Sequence, residues 1–178
     1  SGVLFHSFNH MLVKSLLFQG AGSLYLHFHH RNMERMGGIM KSVPIFGTLM
    51  LFGLASICAL PPFAGFASEF IIYSGLFQAS KLISESYLPL LMLLTTVFVA
   101  LTGGLAVAAF SRFFSTVFLG SQRFPDNHPF HFGWQEKVTM ALLSGWIIWV
   151  GVAPEQLLTF FQSIYLSIFP DQTTANWG

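Results

Sequence analysis

The stretch VLFHSFNHMLVKSLLFQGAGSLYL, residues 3–26, decides the class of this protein. It holds His6, His10 and Lys14 at intervals of four, and it contains no other acidic or basic side chain. Four residues advance an α-helix by about 400°, so these three side chains follow one another along a single face. At about 1.5 Å per residue, a helix of this length crosses a bilayer core of roughly 30 Å. The stretch therefore predicts a transmembrane helix with one titratable face.

Lys14 lies near the middle of this predicted span, where insertion of a lysine costs roughly 3 kcal/mol. Ionisable residues inside a membrane commonly mark ion pathways. An imidazole titrates at about pH 6.5 and can pass a proton through its two nitrogens, so we interpret His6, His10 and Lys14 as a proton relay. Two alternatives stay open. In the first, the three residues form pairs with groups on neighbouring helices and carry no protons. In the second, the histidines bind zinc, although the segment HSFNH lacks the Glu of the metalloprotease motif.

The composition predicts a membrane protein, and the apolar stretches have the lengths of helices, so we expect an all-α membrane protein. Hydrophobic residues make up 53% of the chain and charged residues only 8%, against roughly 25% charged in soluble domains. The net charge of +1 and the lack of a basic patch with interleaved aromatics predict no nucleic-acid partner. The single cysteine, Cys58, lies in an apolar run, where we expect it to pack. No cofactor-binding or metal-binding motif stands out, so neither a cofactor nor a metal is expected in this chain.

A second feature is the segment 43–78, in which two apolar half-helices are separated by Pro61, Pro62 and Gly65. Proline cannot donate a backbone hydrogen bond and restricts the residue before it, so the helix must stop there. It resumes with Glu69 in or near its first turn. Broken helices in membranes are tolerated where they line polar cavities, and they often mark transport sites. We therefore expect Glu69 to be a second titratable group on the ion path.

Two topologies are compatible with this segment: one interrupted span over 44–78, or two complete spans with a hairpin at the prolines. The first places the basic loop over 27–41 on the same side as the basic residues of 112–137, as the positive-inside rule requires. We favour it for that reason. Three histidines in the 27–41 loop could bind a metal, but we expect a polar interfacial loop.

The remaining chain predicts two more helices. A long apolar helix over 88–119 carries Gly103 and other small residues that permit close packing, and Arg112 near its end either reaches the interface or ends a proton path. A polar linker over 120–137 follows, with His128 and His131 expected in an exposed loop.

The C-terminal region, 138–178, is expected to hold the final span, over about 138–153, and a segment over 156–169 that is too short to cross a bilayer. This segment could lie along the interface, and the tail 170–178 is expected to be mobile. The prediction is thus about four transmembrane helices, one discontinuous, with a possible interfacial C-terminal helix. A chain that begins with Ser1 and has no basic leader is also expected to be part of a longer protein.

Four stretches carry a resemblance to a known family: FNHMLVKSLLFQGAGSLY, RNMERMGGIMKSVP, ALPPFAGFASEFIIY and GGLAVAAFSRFFSTVFLG. Together they resemble the antiporter-like subunits of complex I, Mrp antiporters and membrane-bound hydrogenases, most strongly the branch of hydrogenase-4 component B and formate hydrogenlyase subunit 3. The resemblance covers about residues 3–123. It implies that residues 1–119 are the end of the second of two inverted repeats.

The resemblance also implies residue roles. His6, His10 and Lys14 match the helix that links the central hydrophilic axis to the exit half-channel, and Glu69 matches the acid-or-lysine position on the broken helix. The implied function is a proton-translocating subunit of a redox-driven respiratory or hydrogenase complex in the bacterial inner membrane. Its implied partners are other membrane subunits and a hydrogenase or NADH-dehydrogenase-like peripheral arm. The alternatives are a subunit of complex I (NADH:quinone oxidoreductase) or of an Mrp-type Na+/H+ antiporter, and a purely structural membrane anchor.

Overall fold

A computed structural model describes residues 2–82, 87–123, 130 and 132–168. The described part of the chain is helical and contains no strand, which confirms the all-α prediction. The helices are α1 (Gly2–Phe28), α2 (Ile39–Ser42), α3 (Pro44–Ile57), α4 (Ala64–Leu82), α5 (Leu88–Val117), α6 (Trp134–Val152) and α7 (Pro154–Ile168), with a 3-10 turn at Met33–Arg35. The expectations for His128, His131 and the tail 170–178 fall outside the described residues.

Helix α1 is the central element, because it packs against α3, α4 and α6 and also contacts α7. Its buried positions recur every three or four residues, which is the spacing of one helix face. They are Phe5, Asn9, Val13, Leu16, Gly20, Ser23 and Leu24. All but Asn9 and Ser23 are apolar or small, so this face supplies much of the core.

Helices α3 and α4 pack along α1 in the antiparallel direction. Four close approaches fix the register: Met50 with Gly20, Gly53 with Leu16, Ser68 with His6, and Ile71 with Gly2. From Met50 to Ile71, the residue contacted on α1 moves steadily towards the start of α1, from Gly20 to Gly2. If the chain formed a hairpin at the prolines, the contacted residue would move back towards the end of α1. The first part of α4 therefore continues along α1 in the direction that α3 set.

The break between these helices lies over residues 58–63 and contains Pro61 and Pro62, joined by a cis peptide bond. Ala59 has a positive φ of 52°, and the Leu60 amide donates a hydrogen bond of 3.0 Å to the carbonyl of Ala55. The first turn of α4 holds no acidic residue, so Glu69 lies one turn beyond the new N-terminus.

Two glycines allow the backbone to come close at this break. The Gly65 amide donates a hydrogen bond of 3.2 Å to the Ser56 hydroxyl, and a Cβ on Gly65 would collide with the Ser56 carbonyl oxygen. On α6, a Cβ on Gly151 would collide with the carbonyl of Pro62. The broken backbone is therefore packed on both sides by other backbone.

Helices α5 and α6 complete the bundle. Helix α5 returns parallel to α1 and ends beside α2, where the Met40 amide donates to the Phe118 carbonyl at 3.0 Å. Helix α6 is antiparallel to α1. Three pairs set its register: Ser23 with Glu136, Gln19 with Thr139, and Phe8 with Trp146.

Helix α6 begins at Trp134, earlier than the predicted start near 138. The Glu136 carboxylate accepts a hydrogen bond of 3.0 Å from the Gly133 amide, which caps the helix four residues before the apolar run. Helix α7 bends away from α6 by 85°, and its Phe161 ring packs against Phe5.

Among the described residues, one helix, α5, is long and apolar enough to cross a membrane alone, and its most apolar window has a mean hydropathy of 2.3. None of the side chains in its apolar window is buried inside the described structure. Helices α6 and α7 meet the criterion only as a bent pair. Helix α1 has 27 residues, and its histidine, asparagine, lysine and glutamine side chains lower its hydropathy. Such a helix suits a protected position among other helices.

One end of the bundle collects basic side chains. The turn after α1 and the segment after α5 meet there, because Arg123 donates hydrogen bonds of 3.0 and 3.3 Å to the carbonyls of Glu34 and Met36. The residues at this end are Arg31, Arg35, Lys41, Arg123 and Lys137. This grouping is typical of the cytoplasmic side of a membrane protein.

We expect Gly65→Ala to destabilise the fold by about 1–3 kcal/mol or more, because the new methyl group would push α4 away from the Ser56 carbonyl. The midpoint of thermal unfolding of the full-length protein in detergent measures this. Gly75→Ala on the same helix is the matched control, since nothing lies within 4 Å of its Cβ position. A control-like midpoint for Gly65→Ala would contradict the packing described at the break.

Candidate functional site

A cavity of about 340 Å³ lies between α1, α4 and α5. Its wall includes four of the five titratable residues proposed from the sequence for the ion path, all but Arg112, together with a hydroxyl from α5. The named residues are His6, His10, Lys14, Glu69 and Thr102. Residues 55 positions apart in the chain are thus brought to one cavity by the antiparallel register of α1 and α4.

His6 is tied to α4 by a hydrogen bond. Its Nδ1 lies 2.9 Å from the Ser68 hydroxyl oxygen, and Ser68 is fully buried. The Ser68 hydroxyl donates its one proton to the Gly65 carbonyl at 3.0 Å. In this arrangement the hydroxyl oxygen accepts from His6, which places the proton of the neutral ring on Nδ1. The other ring nitrogen is left with a lone pair that can take up a proton.

The ring of His10 stacks on that of His6, with centroids 5.7 Å apart and planes 29° from parallel. Lys14 continues the same face and is close enough to His10 to interact with it electrostatically. Lys14 also lines a second cavity of about 320 Å³, whose other walls are apolar, including Leu17 and Phe110. Lys14 therefore lies where a polar cavity meets an apolar one.

His6, His10 and Lys14 form a ladder of titratable side chains along α1. Glu69 faces this ladder from α4 and is half-buried. The Tyr73 hydroxyl, one turn further along the helix, donates a hydrogen bond to its carboxylate. On α5, a Cβ built on Gly103 would lie 4.0 Å from Glu69 Oε2. The glycine lets α5 close over the carboxylate without covering it by a side chain.

Residues 1–99 match the transmembrane family described as NADH:quinone oxidoreductase/Mrp antiporter. The chain belongs to this family. It is accordingly part of an integral membrane protein, and the resemblance drawn from the sequence is confirmed.

Two relatives within the family come from Escherichia coli strain K12. The chain is 43% identical to formate hydrogenlyase subunit 3 over 123 residues, covering 68% of this chain and 20% of the relative. It is 39% identical to hydrogenase-4 component B over 122 residues, covering 68% of this chain and 18% of the relative. The chain thus spans about a fifth of the length of these relatives.

The fold is similar to that of a chain in the structure of the Mrp complex from Dietzia sp. DQ12-45-1b, with a TM-score of 0.70 and 16% sequence identity. The match covers 88% of this chain and 35% of that chain. At this identity, the likeness shows that the family fold extends through most of the described helices.

The structure also reveals site residues that the sequence did not single out. Ser68 bonds to His6, Tyr73 bonds to Glu69, and Asn9 lines a smaller cavity beside both His6 and Glu69. Tyr73 follows Glu69 at a spacing of four, which places both on one helix face and is a weak signal that could have drawn attention to it. Ser68 gives none, since it directly precedes Glu69 and does not share that face. Asn9 gives no such signal, because polar residues on buried helices usually only pair with neighbours.

Other predicted residues lie elsewhere. The Arg112 side chain is exposed and lines neither of the two large cavities, so the structure does not bring it to the ladder. Pro61 and Pro62 lie in the break rather than on a cavity wall. Among the described residues, no three His, Cys, Asp or Glu side chains come together as metal ligands. That this chain binds no metal or cofactor stays a prediction.

We expect Ser68→Ala to reduce the fraction of neutral His6 that carries its proton on Nδ1, because the acceptor that selects this tautomer is removed. Imidazole ¹⁵N chemical shifts of the histidine-labelled full-length protein report the tautomer. Ser80→Ala is the matched control, since its hydroxyl bonds only to the Phe77 carbonyl of its own helix. An unchanged tautomer in Ser68→Ala would contradict the assigned hydrogen bond.

Proposed function

We propose that this chain is part of a proton-translocating membrane subunit of a redox-driven respiratory or hydrogenase complex. The supporting observation is the convergence of His6, His10, Lys14 and Glu69 on one cavity. Formate hydrogenlyase subunit 3 and hydrogenase-4 component B, to which the chain is similar, bear names that connect them to hydrogenase and formate hydrogenlyase. The redox chemistry takes place in other subunits.

In the proposed relay, the nitrogen of His6 that is not bonded to Ser68 accepts a proton and passes it along the stacked rings to His10. His10 hands it to Lys14, and Glu69 exchanges protons with this ladder across the cavity. The cavity lies between largely apolar helices, where charges interact more strongly than in water. A change of charge on Lys14 or Glu69 therefore acts on its neighbours and drives the next transfer.

The register supports a proposal of four spans. These are α1, the interrupted pair α3 and α4, α5, and α6. Helix α7 has one apolar face and bends by 85° from α6, as expected for a helix lying along the interface. With the basic end of the bundle on the cytoplasmic side of a bacterial inner membrane, the charge distribution follows the positive-inside rule.

The uncovered surfaces support contact with other membrane subunits. Lys14 is exposed on α1, and beside it Met11 is 54% and Phe18 72% exposed. A lysine on such a face cannot remain against lipid without a large cost, so we propose that another part of the subunit covers it. The exposed side of α5, which includes Leu101 and Leu105, is free to meet lipid or a neighbouring subunit. A peripheral arm of the hydrogenase or NADH-dehydrogenase type would supply the electrons.

We expect Glu69→Gln or Lys14→Met in the full-length subunit to reduce coupled proton uptake about 100-fold, the loss typical of removing a proton-transfer group. Proton uptake by proteoliposomes that contain the whole complex, during electron transfer, measures this. Arg112→Gln is the control, because it removes a charge from the exposed side of α5 and should leave uptake unchanged.

Three outcomes would overturn the proposal. Full proton uptake in both variants would show that the cavity residues carry no protons. Failure of both variants to assemble, with the control intact, would favour a structural anchor. If electron transfer drove the uptake of Na+ and not of protons, the translocated ion would be Na+.

A further inference from the structure

Asn9 occupies an unusual position in this site. It is only 2% exposed, and neither its amide nitrogen nor its carbonyl oxygen has a hydrogen-bond partner within the described part of the chain. Buried polar side chains are nearly always hydrogen-bonded, because leaving them unpaired costs free energy. An unpaired amide at the centre of the core therefore points to a ligand that forms hydrogen bonds with it.

A second, smaller cavity lies directly against this amide. Its volume is about 20 Å³, and its wall is formed by α1, the end of α3 and the start of α4. The polar residues that line it are His6, Asn9, His10, Ser56, Ser68 and Glu69. It therefore borders both parts of the proposed relay, at the point where α1 crosses the break.

The size and lining of this cavity define the class of ligand. A water molecule requires at least about 10–15 Å³ and two to four polar partners, and this cavity satisfies both conditions. The amide of Asn9 supplies two donor hydrogens and an acceptor oxygen. The hydroxyls of Ser56 and Ser68 already take part in hydrogen bonds with Gly65, so they stabilise the wall more than they bind a ligand.

We infer that Asn9 binds one ordered water molecule that connects His6 to Glu69. The water donates to and accepts from the amide, and it passes a proton between the ring and the carboxylate by taking up one proton as it releases another. Asn9 itself neither gains nor loses a proton and acts as a positioning residue. This inference rests on the proposed function, since it specifies how the two sides of the relay are joined.

The test uses the full-length subunit in its complex, with Asn9→Leu as the variant that keeps the branched shape and removes the amide. Asn9→Ser retains a hydrogen-bonding group. Ser144→Ala is the matched control, because Ser144 has a buried hydroxyl without a partner in the described structure but lies on α6, away from this cavity. Proton uptake during electron transfer is measured for all three, and cryo-electron microscopy maps that resolve ordered water are compared.

We expect water density beside Asn9 in the wild-type protein and in Ser144→Ala, and no density there in Asn9→Leu. Proton uptake should fall about tenfold in Asn9→Leu, the effect of losing one hydrogen bond, and Asn9→Ser should recover most of it. Wild-type maps without water at Asn9 would overturn the inference, even if Asn9→Leu did not assemble.

Full proton uptake in Asn9→Leu would also overturn it. If Glu69→Gln stopped uptake while Asn9→Leu did not, the bound water would be excluded and the proposed relay would stand. If neither change affected uptake, the proposed function would fail as well.

Discussion

The close backbone contact between Gly65 and Ser56 is the constraint on which the site depends. It holds the start of α4 against the end of α3, and Gly151 of α6 closes the other side of the break. The contact lets the chain continue along α1 past two prolines, so Ser68 meets His6 and Glu69 faces the ladder. Without this contact, the start of α4 would not be held beside α1, and Glu69 would not reach the cavity that His6 lines.

The polar side chains of α1 are costly in lipid, and the packing of the bundle keeps most of them away from it. A helix that carries two histidines, a lysine and an asparagine inserts poorly into lipid by itself. Helix α1 buries one face against α3, α4 and α6, while the apolar helix α5 closes over the cavity from the opposite side. The fold and the proposed function are therefore coupled, because the same helix supplies the core and the titratable groups.

The sequence predicted the features that depend on local rules. The spacing of His6, His10 and Lys14 predicts a shared helix face, and Pro61 and Pro62 predict a helix end, because both follow from backbone geometry. The sequence could not predict that Ser68 would fix the tautomer of His6, or that Asn9 would border the relay. Those facts depend on the register between α1 and α4, which only tertiary packing determines.

A double-mutant cycle between His6 and Glu69 tests the central claim, that α1 and α4 contribute to one proton path. Proton uptake by the complex is measured for His6→Gln, Glu69→Gln and both together. Residues acting in one path are strongly non-additive, so the double variant should be little worse than the more damaging single change. Losses that multiply as independent effects would show that the two residues act separately and would contradict a shared cavity path.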